Sequence, residues 1–175
     1  MKKNTYIFLL MVFLIFSGCQ KDDICSETTS TTPHLVIKFL DNENPSNTKA
    51  VTNLQVQEEN LLEDYFETPI NDTLIKIPLR TTANFTNYIF TLNAPEDPDA
   101  EIGEDDALPN EDHLDFSYGT VVEYVSRACG YKTLFVGFEA SRVSEGSNTN
   151  WIERIEVQQP NEITNEIDTH LFIYH

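Results

Sequence analysis

Residues 73–80, Thr73-Leu74-Ile75-Lys76-Ile77-Pro78-Leu79-Arg80, alternate apolar and polar side chains with a period of two. Ile75, Ile77 and Leu79 lie on one side of an extended chain, while Lys76, Pro78 and Arg80 lie on the other. This period is typical of a β-strand that buries one face. Because proline has no N–H to donate to a neighbouring strand, Pro78 favours the edge of a sheet. The stretch therefore predicts a half-buried edge strand.

Further stretches of the same kind lie before and after it, separated by turn residues and without a long helical period. They are His34–Leu40, Val51–Gln57, Thr86–Asn93, Leu114–Tyr118, Val121–Ala128, Lys132–Phe138, Trp151–Val157 and Thr169–His175. Lys132–Phe138 is apolar on both faces, which is typical of a central strand. We therefore predict an all-β fold, an antiparallel β-sandwich (immunoglobulin-like or related) of about eight or nine strands.

Two inserts interrupt this pattern. Asn60-Leu61-Leu62-Glu63 resembles a capping box and predicts a short helix before Pro69. The apolar face of that helix would cover one end of the sandwich, with a partner-binding face as the alternative. The second insert, Pro95–Asp112, is rich in acids and prolines and predicts a solvated loop.

The acidic loop contains Asp97, Asp99 and Glu101, and clustered carboxylates are the ligands that calcium prefers. A calcium-binding EF-hand loop requires glycine and glutamate at two later positions, where this chain has Ile102 and Leu108. The sequence therefore predicts no metal site here, although weak calcium binding remains an alternative.

The composition excludes some classes of protein and permits others. The chain has 175 residues and a formal net charge of -18, which argues against nucleic acid as a partner. Its 40% apolar and 11% aromatic content is sufficient for a packed core. No nucleophile elbow or phosphate-binding glycine loop occurs, so we predict no catalytic residue and no cofactor. The four histidines lack the close spacing of a zinc site: His34, His113, His170 and His175.

The pattern of the N-terminus is typical of a targeting signal. Two lysines precede the apolar run Tyr6–Phe16, which is too short to cross a hydrocarbon core of about 30 Å. Ser17 and Gly18 then lead to Cys19, and this segment resembles the lipobox of bacterial lipoproteins. The resemblance implies that residues 1–18 are a signal peptide and that Cys19 carries a diacylglycerol and an acyl chain. The alternative is an ordinary secretory signal followed by a chance cysteine.

Gln20, Lys21, Asp22 and Asp23 follow the predicted lipid site. This tetrapeptide resembles the export signal of Bacteroidetes lipoproteins, which implies an outer-membrane protein displayed at the cell surface. The alternatives are a plain polar tether and a location in the periplasmic leaflet. We predict a lipidated N-terminus and Thr-rich tether over residues 19–33, and a single β-sandwich domain over residues 34–175.

Removing residues 1–18 from the 175-residue chain leaves 157 residues and, because two lysines leave, changes the formal charge from -18 to -20. If Cys19 carries lipid, then Cys25 and Cys129 remain, and only one intramolecular disulfide is possible between them. Two free thiols or a metal site are the alternatives.

Asp72-Thr73-Leu74 resembles the site at which Bacteroidetes glycosylate exported proteins on threonine. The resemblance implies an O-linked glycan on Thr73, whereas the alternative is that Thr73 only opens a strand.

Three segments together resemble a protein family. They are Asp23-Ile24-Cys25, Thr32-Pro33-x-Leu35-Val36-Ile37 and Val125-Ser126-Arg127-Ala128-Cys129-Gly130-Tyr131-Lys132. They resemble a group of flavobacterial lipoproteins with a domain of unknown function. The resemblance implies an envelope location and a shared β-domain, but no activity.

The sequence therefore predicts a membrane-anchored lipoprotein that is a non-enzymatic binding or interaction module. Its partners would be the membrane, through the covalent lipid, and a protein or glycan of unknown identity. One alternative is an envelope hydrolase or glycan-processing accessory. Another is a structural component of an outer-membrane complex.

Overall fold

The structure is a computed structural model that describes residues 24–29, 31–61, 63–97, 103, 107–144 and 150–175. The chain divides into two compact units. We call Met1–Thr29 with Tyr124–Tyr131 the disulfide unit, and Ser30–Glu123 with Lys132–His175 the sandwich unit. In the described part of the chain, no helix is long and apolar enough to cross a membrane.

Eight strands form two four-stranded sheets, with the orders β3-β1-β8-β7 and β2-β4-β5-β6. The strands are β1 (Leu35–Leu40), β2 (Gln55–Glu58), β3 (Leu74–Ile77), β4 (Phe85–Leu92), β5 (Asn110–Ser126), β6 (Gly130–Arg142), β7 (Arg154–Val157) and β8 (Leu171–Tyr174). The registered pairs are antiparallel except for β1 and β8, which run parallel. The all-β, antiparallel-dominated sandwich predicted from the sequence is confirmed.

Strand β3 has the predicted alternation and the predicted edge position. Ile75 and Ile77 are buried, whereas Leu74 and Lys76 are exposed. The strand pairs with β1, with Ile77 opposite Leu35, and lies at the end of its sheet order. The strand ends at Ile77, one residue before the proline, because proline cannot donate to a further ladder bond.

Aromatic rings from β1, β4, β5 and β6 form the centre of the core. The largest fully buried side chains include Phe39, Phe90, Phe116, Phe135 and Phe138. The Phe116 and Phe138 ring centroids lie 5.6 Å apart. Each such side chain contributes about 1.5–3 kcal/mol when it leaves water, so the two sheets are stabilised mainly by this layer.

Two details of the strand prediction are wrong. Leu114–Tyr118 and Val121–Ala128 were expected as two strands, but β5 runs without interruption through Gly119, which tolerates an extended backbone. Lys132–Phe138 was expected as a central strand, but β6 lies at the end of its sheet order. Residues 161–163 cover that edge, since Phe135 and Ile163 exchange backbone hydrogen bonds of 3.2 and 2.8 Å.

The helix predicted around Asn60 is wrong: the described residues on either side of Leu62 form turns and bends. The Tyr65 N–H donates to the Val56 carbonyl at 2.7 Å, and Gln57 and Asp64 form an isolated bridge. The backbone after β2 therefore folds back and bonds to β2, which removes the donors that a helix would use.

The predicted acidic loop ends earlier than expected. Strand β5 begins at Asn110, and Asp112 is fully buried rather than solvated. Its carboxylate accepts hydrogen bonds from Asn150 Nδ2 at 2.5 Å and from the Ile152 N–H at 2.7 Å. These two donors replace the water that a buried carboxylate loses, and so they hold residues 150–152 against β5.

Candidate functional site

The disulfide unit is closed by the predicted cysteine pair. Cys25 and Cys129 are bonded, with their Cα atoms 4.9 Å apart and 104 positions apart in the sequence. Around the bond, the Cys129 N–H donates to Ser126 Oγ at 3.0 Å. Gly130 follows with φ of 71°, a left-handed conformation that glycine adopts without steric cost. The prediction of this disulfide is confirmed.

Beside the disulfide lies a pair of exposed rings that we call the tyrosine pair. Tyr124 and Tyr131 have ring centroids 5.4 Å apart at an interplanar angle of 67°. The two rings are 55% and 70% exposed, and Ile24 is 85% exposed. A shallow depression of about 390 Å³ lies between Ile24, Tyr124 and Arg127. The sequence pattern does not indicate a role for these side chains, because alternation along a strand does not reveal which rings remain exposed to water.

A second concave surface, which we call the outer groove, lies on the sandwich unit. It has a volume of about 320 Å³ and lies on the outward faces of β4, β5 and β6. Its lining includes Phe85, Asn87, Asp115, Ser117, Glu139 and Ser141. The β4–β5 register places Phe85 opposite Ser117 and Asn87 opposite Asp115.

The chemistry of the outer groove is that of a shallow polar site with one aromatic surface. Phe85 is 47% exposed and supplies the ring. Two carboxylates, one amide and two hydroxyl groups supply hydrogen-bond donors and acceptors. They stand on strands, which hold side chains more rigidly than loops do. The alternation of β4 predicts that Asn87 faces outward, but its alignment with Glu139 on β6 requires the folded sheet.

The structure does not bring the four histidines together. His34 Nδ1 lies 2.6 Å from Glu166 Oε1, while His113 lies 3.5 Å from a Glu59 oxygen. His170 is buried, and its Nδ1 accepts from the Val36 N–H at 3.0 Å. Burial lowers the pKa of His170. Within the described ranges, no three His, Cys, Asp or Glu side chains are grouped closely enough to hold a metal ion.

Glu166 forms an ionic junction that the sequence did not indicate. Its carboxylate accepts from the His34 backbone N–H at 2.9 Å and from Lys76 Nζ at 3.0 Å, in addition to the His34 ring. Burial opposes the ionisation of Glu166, but these hydrogen bonds outweigh it and lower its pKa to about 2. The junction therefore joins the start of β1, the edge strand β3 and the segment before β8.

Replacing Glu166 by glutamine is expected to lower the unfolding free energy at neutral pH by about 1 kcal/mol, since the site is partly exposed. The folded pKa of about 2 lies below the ordinary value of 4.5, so the carboxylate stabilises the fold above pH 4.5. That contribution is lost as the pH falls towards 2. Urea unfolding followed by the fluorescence of buried Trp151 should show a wild-type advantage that shrinks over this window. A constant difference from pH 7 to pH 2 would contradict the role of the carboxylate.

The other residues singled out in the sequence divide into two groups. Cys19 and Gln20–Asp23 lie outside the described residues, as do Asp99 and Glu101 of the acidic loop. Thr73 is described and lies immediately before edge strand β3, where its N–H donates to Asp72 Oδ1 at 2.6 Å. Thr73 is half-buried, so it is partly accessible as a candidate glycosylation site.

Comparison with known proteins agrees with a domain of unknown function. No curated protein and no solved structure matches this chain significantly. Of the three segments that resemble flavobacterial lipoproteins, Val125–Lys132 lies inside the family match, and the two earlier ones lie before it. The match covers residues 51–175, which is more than half of the chain, and the protein therefore belongs to the family of unknown function DUF6452.

Proposed function

We propose that the chain is a bacterial lipoprotein, anchored in the outer membrane through Cys19 and displayed at the cell surface. The observation that carries this proposal is the bond between Cys25 and Cys129. It uses both of the later cysteines and leaves Cys19 as the remaining thiol, at the end of an apolar run where a lipobox would place it. A structural disulfide also agrees with an oxidising compartment outside the cytosol.

We further propose that the protein is a non-enzymatic binding module and that the outer groove takes a neutral glycan. An exposed ring such as Phe85 can lie against the apolar face of a sugar, while the amide and hydroxyl groups bond its hydroxyls. Asp115 and Glu139 disfavour anionic ligands, and so does the charge of -20 on the chain after residue 18. This combination favours an uncharged polysaccharide over an acidic one.

Phe85→Ala is expected to weaken binding of a neutral cell-surface polysaccharide roughly tenfold, which corresponds to about 1.4 kcal/mol. Binding of the full-length protein in detergent can be measured by affinity electrophoresis in gels that contain the polysaccharide. Leu108→Ala is the matched control, because Leu108 is 72% exposed in the same unit and does not line the groove. Equal retardation of Phe85→Ala and wild type would show that the outer groove is not the binding site.

One observation favours a second function, an envelope hydrolase. Asp115 and Glu139 line the same groove, and glycoside hydrolysis uses a pair of carboxylates. The same polysaccharide distinguishes the two functions. Release of new reducing ends by wild type, lost in both Asp115→Asn and Glu139→Gln, would favour the hydrolase. Retention of intact polysaccharide by all three proteins would favour the binding module.

A further inference from the structure

In the described part of the disulfide unit, the tyrosine pair and Ile24 present apolar surface to water. Tyr131 is 70% exposed and Tyr124 is 55% exposed, and the centroids of their rings are 5.4 Å apart. Exposed aromatic surface of this kind marks contact sites. A tyrosine ring has an apolar body and a hydroxyl end, which suits the boundary between lipid and water.

The disulfide limits how far this surface can lie from the predicted lipid. Cys25 is bonded to Cys129 and lies six residues after Cys19. Six residues of fully extended chain span about 22 Å. Because the Cα atoms of Cys25 and Cys129 are 4.9 Å apart, Cys129 lies within about 27 Å of Cys19.

The charge of the disulfide unit differs from that of the chain as a whole. After residue 18, this unit contains three acids, Asp22, Asp23 and Glu27, and two bases, Lys21 and Arg127, which gives it a formal charge of -1. The chain after residue 18 carries -20. An anionic membrane surface repels a charge of -20 strongly, but a unit with a charge of -1 can approach it at much lower electrostatic cost.

From the exposure, the short reach and the low charge, we infer that the disulfide unit docks on the membrane that holds the anchor. Tyr124, Tyr131 and Ile24 lie in the headgroup region of the bilayer. The inference rests on the proposed lipidation of Cys19. The covalent lipid then supplies attachment, and the tyrosine pair supplies a second contact that fixes the orientation of the disulfide unit at the surface.

The test places a fluorescent ring at the proposed contact. Full-length lipidated protein carrying Tyr131→Trp is reconstituted into phosphatidylcholine vesicles whose acyl chains are brominated near the ester end. Its emission should be quenched by about half or more relative to unbrominated vesicles, because bromine quenches indole at contact distance. Ile167→Trp, at a 93% exposed position of the sandwich unit, is the matched control and should show little quenching. The wild-type signal of buried Trp151 is subtracted from both.

Flotation of the same vesicles distinguishes failure of the lipid anchor from failure of the docking of the disulfide unit. Protein that does not float with the vesicles overturns the lipid anchor. Floating protein in which Tyr131→Trp is quenched no more than Ile167→Trp overturns the docking of the disulfide unit and leaves the anchor intact. A blue-shifted but unquenched Tyr131→Trp emission that depends on protein density would assign the surface to a second copy of the chain, and would also overturn the inference.

A second measurement uses the exposed Arg127 as a protease site. Trypsin should cut after Arg127 slowly in vesicle-bound wild type. In the double variant Tyr124→Ser with Tyr131→Ser, this rate should rise on the order of tenfold, because two membrane contacts are lost. In detergent the two proteins should be cut at equal rates, and cleavage after exposed Lys49 should match throughout. Equal cleavage at Arg127 in vesicles would overturn the inference.

Discussion

Cys19→Ala is expected to abolish the mature lipidated form of the protein. The proposed thioether to diacylglycerol would form on the sulfur that this change removes, and each buried methylene of the lipid would contribute about 0.8 kcal/mol to membrane attachment. The variant should be soluble, uncleaved or mislocalised, and its mass should lack the acyl chains. Detergent-phase partitioning with intact-mass spectrometry measures both properties. A variant that partitions into detergent with the mature mass of wild type would contradict the anchor.

The matched control for this experiment replaces Lys21, Asp22 and Asp23 by alanine. The proposed lipobox lies upstream of these residues and the strands lie downstream, so lipidation and folding should both persist. Only the leaflet of the outer membrane in which the protein is anchored should change. Protease added to whole cells should digest wild type and leave this variant intact. In lysed cells, the protease should digest both proteins. Equal digestion in whole cells would show that the three residues are a plain tether.

Replacing both Cys25 and Cys129 by serine is expected to cost up to about 4.7 kcal/mol of unfolding free energy, the chain-entropy value for a loop of about 100 residues. The cross-link joins residues 104 positions apart, so its loss frees a large part of the unfolded chain. Urea unfolding followed by Trp151 fluorescence measures the loss. A reductant should destabilise wild type by the same amount and leave the double variant unchanged.

Two results would contradict this prediction. An unfolding free energy of the double variant within about 0.5 kcal/mol of oxidised wild type would show that the bond does not constrain the unfolded chain. Mass spectrometry of non-reduced wild type with two alkylatable thiols, at Cys25 and Cys129, would show that the bond is absent from the protein in solution.

The strand pattern was predictable because alternation is a local property. Residues 73–80 alone predict a half-buried edge strand, and β3 is buried at Ile75 and Ile77 and lies at the end of its sheet. Cysteine counting left Cys25 and Cys129 as a pair, and the structure joins them. These predictions succeed because side-chain period and thiol number do not depend on what packs nearby.

Two of the failed predictions depend on hydrogen bonds that a local sequence pattern does not show. The capping box at residues 60–63 was a sound local signal, but hydrogen bonds back to β2 replaced the helix. Asp112 looked solvated among other acids, yet Asn150 and the Ile152 N–H bind its carboxylate. A local pattern indicates the conformation that an isolated segment prefers. Tertiary hydrogen bonds override this preference, because it is worth only about 1 kcal/mol.

The candidate sites likewise depend partly on the local sequence and partly on the tertiary structure. Sequence alone places a short span between Cys19 and Cys25 and an alternating strand around Asn87. Only the tertiary structure aligns Phe85, Asp115 and Glu139 in one groove and leaves the rings of Tyr124 and Tyr131 in water. The physical reason is that exposure and alignment depend on strand pairing, which joins residues far apart in the chain. The sequence determines which side chains are available, and the packing of the sheets determines which of them meet.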